Sequence, residues 1–420
     1  MTSRTKLAAA GVLFVVALLV AACAAMPKGR TDRASMGSST RPAASARSTP
    51  TTGATAPTVA PTTVPRGPWR VVGYLTTWGA HSGYHPRNLA ASGAAARLTH
   101  LNVAFGSVVD GRCAQGDPAI ETGVAYDAAN SVDGVADPAG QPGGLFGQLR
   151  KLKAQNPQLR VLWSFGGASG SSGFAAAASD PVRFAASCRA LLDDPRWAGL
   201  FDGIDIDWEY PGLDSGYAAL LAAMRREMPG RLVTAAVPAA PTQLLTGGYG
   251  DAAASVDWFN VMTYDFAGWW TPTRSAPHSA LHPDPASLPA GHSASEAIST
   301  YRALGVSADK LLLGVGFYGR GWSGVAVPAA GAAASGPAPG TVESGMETYR
   351  TLVQRCPATS TVAGTAVASC GSQWWSYDTP ATLSSKAAWA RSQGLGGVFF
   401  WEASGDTDDG QLVAALTAGG

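Results

Sequence analysis

The chain has 420 residues, 46% of them hydrophobic and only 14% charged, so it has ample apolar content for a full core. Its 30 basic and 29 acidic residues give a formal charge of +1, which sets aside nucleic acid as an electrostatically driven partner.

At the N-terminus, Arg4 and Lys6 precede the apolar run Leu7 to Ala22, which ends at Cys23. This pattern predicts an export signal. Val20 to Cys23 resembles a bacterial lipobox, in which Cys23 would be lipidated and would anchor the protein to the outer face of the cell membrane. Cleavage after neighbouring small residues, or retention of the run as a slightly short membrane span, are the alternatives. Residues 24–67 are Ser, Thr, Ala and Pro with no aromatic residue, a composition that predicts a disordered tether reaching about 35 Å as a random coil. No Trp precedes Trp69, which argues against an aromatic-surfaced binding module ahead of the main domain. With Cys23 removed or lipidated, Cys113, Cys188, Cys356 and Cys370 are left to pair in an oxidising compartment. Local spacing favours Cys356 with Cys370, leaving Cys113 with Cys188, although the sequence permits three connectivities.

From residue 68 onward, β-rich runs alternate with helical compositions. Strands are predicted at 69–78, 98–108, 159–167, 203–210, 232–238, 257–265, 311–319 and 397–406, and helices at 145–155, 181–194, 214–228, 294–305, 380–393 and 408–418. This order points to a closed (β/α)8 TIM barrel over 68–420. Between the seventh and eighth strands, residues 321–376 hold two cysteines and the helical run "ETYRTLV". A segment of that length predicts a small α+β subdomain beside the barrel mouth rather than a structureless loop.

The fourth predicted strand, "GIDIDWEY", follows Asp202. Strand alternation puts Asp205, Asp207 and Glu209 on one face and Ile204, Ile206 and Trp208 on the other, with Asp202 on the opposite parity. The acids are expected inside the barrel, with Glu209 nearest the carboxyl end where barrel enzymes carry their chemistry. Successive acids on that face are about 6.6 Å apart, so two ionised ones repel by roughly 2.5 kcal/mol at an effective dielectric of 20. Such a row cannot easily ionise completely, and one member is available as a general acid near neutral pH. A metal site and an Arg-neutralised structural cluster are the competing readings. Metal is disfavoured because, apart from His100, no His falls on a strand near the acids; His278 and His282, in a Pro-rich loop, read as surface residues.

The run Asp202 to Glu209 fits D-x-x-D-x-D-x-E in full and resembles the signature of the chitinases of glycoside hydrolase family 18. Ser164 to Gly167, Asn260 to Phe266, Gly316 to Trp322, and the region from Trp374 to Glu402 carry the same resemblance, which is nearest to secreted Streptomyces-type chitinases. It implies that Glu209 protonates the glycosidic oxygen and then activates water, while the substrate's own N-acetyl oxygen attacks the anomeric carbon to give an oxazolinium ion with net retention. By the same resemblance Asp207 holds the acetamide N–H, Asp205 shares the proton, Asp202 supports the row from below, and Tyr264 donates to the acetamido carbonyl. Trp401 would form the floor of the sugar site. Tyr74, Phe105, Met262, Asp265, Tyr318 and Arg320 match substrate-binding positions, and Trp78, Trp269, Trp270 and Trp322, which follow strand ends, are expected to line the groove. Trp163, Trp197, Trp258 and Trp389 are expected in the core.

The expected partner is chitin or its oligosaccharides, for an exported monomer with no cofactor and no metal. An endo-acting N-acetylglucosaminidase on N-glycans shares the signature, and a non-catalytic chitin-binding protein shares the fold.

Overall fold

A computed structural model describes residues 68–141 and 143–418. The export signal, Cys23 and the tether up to residue 67 lie outside the described residues. Eight parallel strands form the barrel: Arg70–Thr76, His100–Val109, Arg160–Gly166, Gly203–Asp207, Leu232–Pro238, Trp258–Met262, Leu311–Gly316 and Gly397–Trp401. The first strand pairs with both the eighth and the second, which closes the sheet. Helices Gly144–Gln155, Pro181–Leu192, Tyr217–Glu227, Ala294–Ala303, Pro380–Ser392 and Gln411–Thr417 lie close to the expected spans.

Local chemistry sets the boundaries. Asp180 accepts a hydrogen bond from the Arg183 N–H ahead of Pro181, and Thr379 and Thr382 cap one another reciprocally ahead of Pro380. The first, fourth, sixth and eighth barrel strands are shorter than expected because their exits turn into other structure. After the first, Thr77–Ser82 is a 3-10 turn. After the fourth, the Glu209 N–H is taken by Ser171 Oγ at 2.8 Å, so the chain leaves the ladder at Asp207. After the sixth, Asp265 adopts a left-handed backbone with φ of 57°. After the eighth, Glu402 caps a 3-10 turn at Ala403–Gly405.

The alternation expected of the fourth strand is present. Ile204, Ile206 and Trp208 join the large apolar layer between barrel and helices, where Trp208 stacks on Phe174 at 5.2 Å. Burying each of the two isoleucines contributes about 1.5–3 kcal/mol. Asp205 and Asp207 face the interior, whose separate apolar cluster includes Val72, Tyr74, Trp258 and Phe399.

The expected seventh strand breaks at Phe317, whose N–H bonds to Trp401 O at 2.7 Å. Its continuation, Tyr318–Ser323, starts a six-stranded antiparallel sheet that ends with Gln373–Tyr377 and carries the helix Tyr349–Arg355. Disulfides join Cys356 to Cys370 within this sheet unit, and Cys113 to Cys188 between a short hairpin strand and the helix Pro181–Leu192. Trp322 does not line a groove. It is fully buried, donates Nε1–H to Thr271 O at 2.8 Å and contacts Trp374, because its position on the sheet turns it into the layer beneath. Trp163, Trp197 and Trp258 are buried, and Trp389 is partly so.

Candidate active site

At the carboxyl end of the barrel a cleft of about 590 Å³ is lined by Asp207, Glu209, Tyr210, Met262, Tyr264, Asp265, Tyr318, Arg320, Phe105, Trp270 and Trp401, among others. Beneath it the acid row is built from the barrel interior upward. In strand register Ser164 and Thr234 flank Asp205. Oδ2 of Asp205 accepts from Tyr74 OH at 2.8 Å and Ser164 Oγ at 2.7 Å, while Oδ1 accepts from Thr234 Oγ1 at 2.6 Å and Asn260 Nδ2 at 3.3 Å. Burial pushes the Asp205 pKa up, and these four donors oppose that shift.

Asp207 is placed differently. It is 3% exposed and its Oδ1 has no hydrogen-bond partner among the described residues. Burial, then the charges of Glu209 and Asp205, push its pKa well up. Glu209, at the cleft wall, is also pushed up by burial and by Asp265, against a hydrogen bond from Tyr210. Three neighbouring carboxyls with raised proton affinity, the lowest of them heavily hydrogen-bonded, form a set that can hold and hand on a proton. Gly166 makes room for it: φ there is +117°, and a Cβ would lie 2.1 Å from the Asp207 carbonyl oxygen.

Asp265 is held by two hydrogen bonds from Arg320, Nε to Oδ1 at 2.9 Å and Nη2 to Oδ2 at 2.8 Å. Burial opposes its ionisation, but the Arg320 charge and hydrogen bonds, with His278, outweigh it and hold the carboxyl well below the usual carboxylate range. Arg320 also pairs with Glu343 at 2.5 Å and lies 5.1 Å from the Trp270 ring. Burial pushes the Tyr264 hydroxyl well up, so it remains a proton donor. Trp401 stacks on Phe105 with centroids 5.6 Å apart. Trp78 stands at the rim, 48% exposed and 6.2 Å from Trp401, and Trp269 is 49% exposed beside Trp270.

Asp202 is not part of this constellation. Its carboxylate takes Lys153 at 2.6 Å, Arg160 at 3.0 Å and the Val161 N–H at 2.8 Å, tying the start of the fourth strand to the third strand and a helix. It supports the strand, and no hydrogen bond links it to Asp205. His278 departs from its surface reading: it is fully buried beside Asp265, because the loop after the sixth strand folds under the insertion sheet, whereas His282 is exposed. His100 packs on Trp258 at 4.7 Å and bonds to Thr99. Among the described residues no group of three or more His, Cys, Asp or Glu could hold a metal ion. Of the donors to Asp205, Thr234 has no place in the sequence reading, and Ser164 and Asn260 enter it only as the first residues of two motifs, with no link to that carboxylate. Their signal is polarity at the inward parity of barrel strands, where apolar residues are the norm.

A parallel eight-stranded barrel with an inward row of carboxyls and an aromatic-lined cleft at its carboxyl end has its titratable groups gathered where barrel enzymes carry their chemistry. Residues 70–406 match the family model described as glycosyl hydrolases family 18, and the chain belongs to that family. It is 49% identical over 365 residues to Chitinase 63 of Streptomyces plicatus, covering 83% of this chain and 60% of that protein. To Chitinase C of Streptomyces lividans it is 50% identical over 356 residues, covering 81% and 58%. The chain thus spans about three fifths of the length of these curated relatives. Among solved structures, the catalytic domain of psychrophilic chitinase B from Arthrobacter TAD20 superposes with a TM-score of 0.79 at 33% identity, covering 83% of this chain and 94% of that one.

Proposed function

We propose that the chain is a chitinase that hydrolyses β-1,4 linkages between N-acetylglucosamine units by substrate-assisted, retaining catalysis. The observation that carries this reading is the pairing of Glu209, proton affinity raised, with Asp207, buried and lacking a donor on Oδ1. Glu209 protonates the leaving oxygen. Asp207 presents its free oxygen to the acetamide N–H, so the acetamido carbonyl is turned towards the anomeric carbon, and Tyr264 donates to that carbonyl. Attack forms the oxazolinium ion, and Glu209, now ionised, takes a proton from the water that opens it. Asp205, fixed by its four donors, bears the charge that makes Asp207 a better proton acceptor. Trp401 supplies the apolar floor, with Phe105 behind it.

The names of the Streptomyces and Arthrobacter relatives support chitin as the substrate. The proposal includes export through the segment ending at Cys23; globomycin-sensitive processing with retention in the membrane fraction would support lipidation of Cys23, whereas free release into the medium would refute it. For the chemistry, a time course on chitin hexasaccharide with anomeric analysis is expected to give β-anomeric products first. Glu209→Gln is expected to stop turnover while oligosaccharide binding persists. Full activity in that variant, or α-anomeric initial products, would sink the mechanism.

A further inference from the structure

His278 lies in the loop after the sixth barrel strand and has no part in the chemistry above. Its backbone is fixed from two sides. The carbonyl accepts from the Phe266 N–H at 2.9 Å, and its own N–H donates to Ser376 Oγ at 3.0 Å on the last strand of the insertion sheet. The ring is fully buried, 5.2 Å from the Tyr318 ring. Neither ring nitrogen has a hydrogen-bond partner among the described residues, and Nδ1 stands 3.6 Å from Asp265 Oδ1, beyond hydrogen-bond length. A buried N–H without an acceptor is costly, and a carboxylate oxygen that already takes Arg320 Nε still has a free lone-pair direction.

We propose that His278 is a positioning residue: its Nδ1–H faces Asp265 Oδ1 and helps hold that carboxylate against Arg320, in the cleft shared with Glu209. This rests on the reading of the cleft as a hydrolytic site. The charged and titratable groups around the ring are Asp265 on its own loop, Arg320 and Tyr318 on the first strand of the insertion sheet, and Asp378 just beyond its last strand. Burial depresses the pKa of His278, with Arg320 in the same direction and Asp265 and Asp378 against, so the ring is neutral when it donates. The charge of Asp265 raises the proton affinity of Glu209. A loosened Asp265 therefore lets Glu209 lose its proton at lower pH.

Two experiments test this. In the full chain labelled with 15N-histidine, with the His278 signal assigned by its loss in His278→Asn, the ring is expected to carry its proton on Nδ1. A ring with no proton on Nδ1 would overturn the proposal, whether or not the protein hydrolyses chitin. In the second, His278→Leu removes the donor and His278→Asn keeps one near the Nδ1 position. His278→Leu is expected to move the alkaline limb of kcat/KM to lower pH by roughly half a unit, the scale of a partly displaced neighbouring charge, and His278→Asn to restore it. A folded Leu variant with the wild-type pH profile, or equal losses in both variants, would overturn it. If the Leu variant does not fold, the tautomer in the wild-type chain decides.

Discussion

Replacing Asp207 by asparagine should make the fold more stable and the protein far less active. The carboxyl is buried, lacks a donor on Oδ1, and has its pKa pushed well up by burial and by the charges of Glu209 and Asp205. A carboxyl with greater proton affinity in the folded than in the unfolded chain stabilises the fold only at low pH. As pH rises past the ordinary carboxylate value of about 4, the unfolded chain releases this proton first, and stability falls until the folded group ionises too. For Asp205 and Asp207, two positions apart on one strand, the repulsion is about 2–3 kcal/mol at about 6.6 Å and an effective dielectric of 20. An asparagine removes a penalty of that order. With an unfolding entropy of roughly 0.7 kcal/mol/K for about 350 folded residues, the gain in Tm is about 3–4 °C. Calorimetry from pH 4 to 8 should show the variant and wild type together at the acid end and diverging towards pH 8. Losing the group that orients the acetamide should lower kcat by about 10²–10³ on chitin oligosaccharides. A Tm difference that is constant with pH, or that shrinks as pH rises, would refute the account of the acid row.

Lys386→Met should cost about 3–5 kcal/mol, because it strands the buried Asp378 carboxylate that Lys386 meets at 2.6 Å; guanidinium unfolding measures it, and a change near zero would show that Asp378 is satisfied by Ser279 and Thr382 alone. Cys356→Ser opens a loop with a sequence separation of 14 and should lower stability by about 3 kcal/mol, read as a drop in the denaturant midpoint that reduction of the wild type, which also opens Cys113–Cys188, should exceed. Trp401→Ala should raise KM for chitin oligosaccharides by roughly tenfold through loss of the stacking floor, and an unchanged KM would remove Trp401 from the sugar site.

The barrel was legible because its strands are short β-rich runs that alternate with stretches of helical composition, and local signals of that kind survive in one sequence. Asp205, Asp207 and Glu209 were legible through their shared parity and through the D-x-x-D-x-D-x-E resemblance. Their partners were not: Ser164, Thr234 and Asn260 are polar residues on other strands, and only the closed register sets them around Asp205. His278 failed for a related reason. A His in a Pro-rich loop reads as exposed until the loop is seen to be covered by the insertion sheet, a contact to Ser376 across 98 residues. Trp322 failed in the opposite direction, since following a strand end brings a side chain to the mouth only if the strand stops there, and this one runs on into a second sheet.

Arg320 stands in the first strand of that second sheet, paired through the backbone with Met346 and Ser376, yet its guanidinium closes on Asp265 from the barrel. The insertion is therefore no interchangeable accessory. A chimaera that borrowed the sheet from another barrel without the loop from Asp265 to His278 would bury a cation with no carboxylate to meet it. A chimaera that borrowed the loop alone would leave the carboxylate unclaimed beside Glu209. What must be inherited as a unit is the seam between the two sheets, and engineering of this fold should cut outside it.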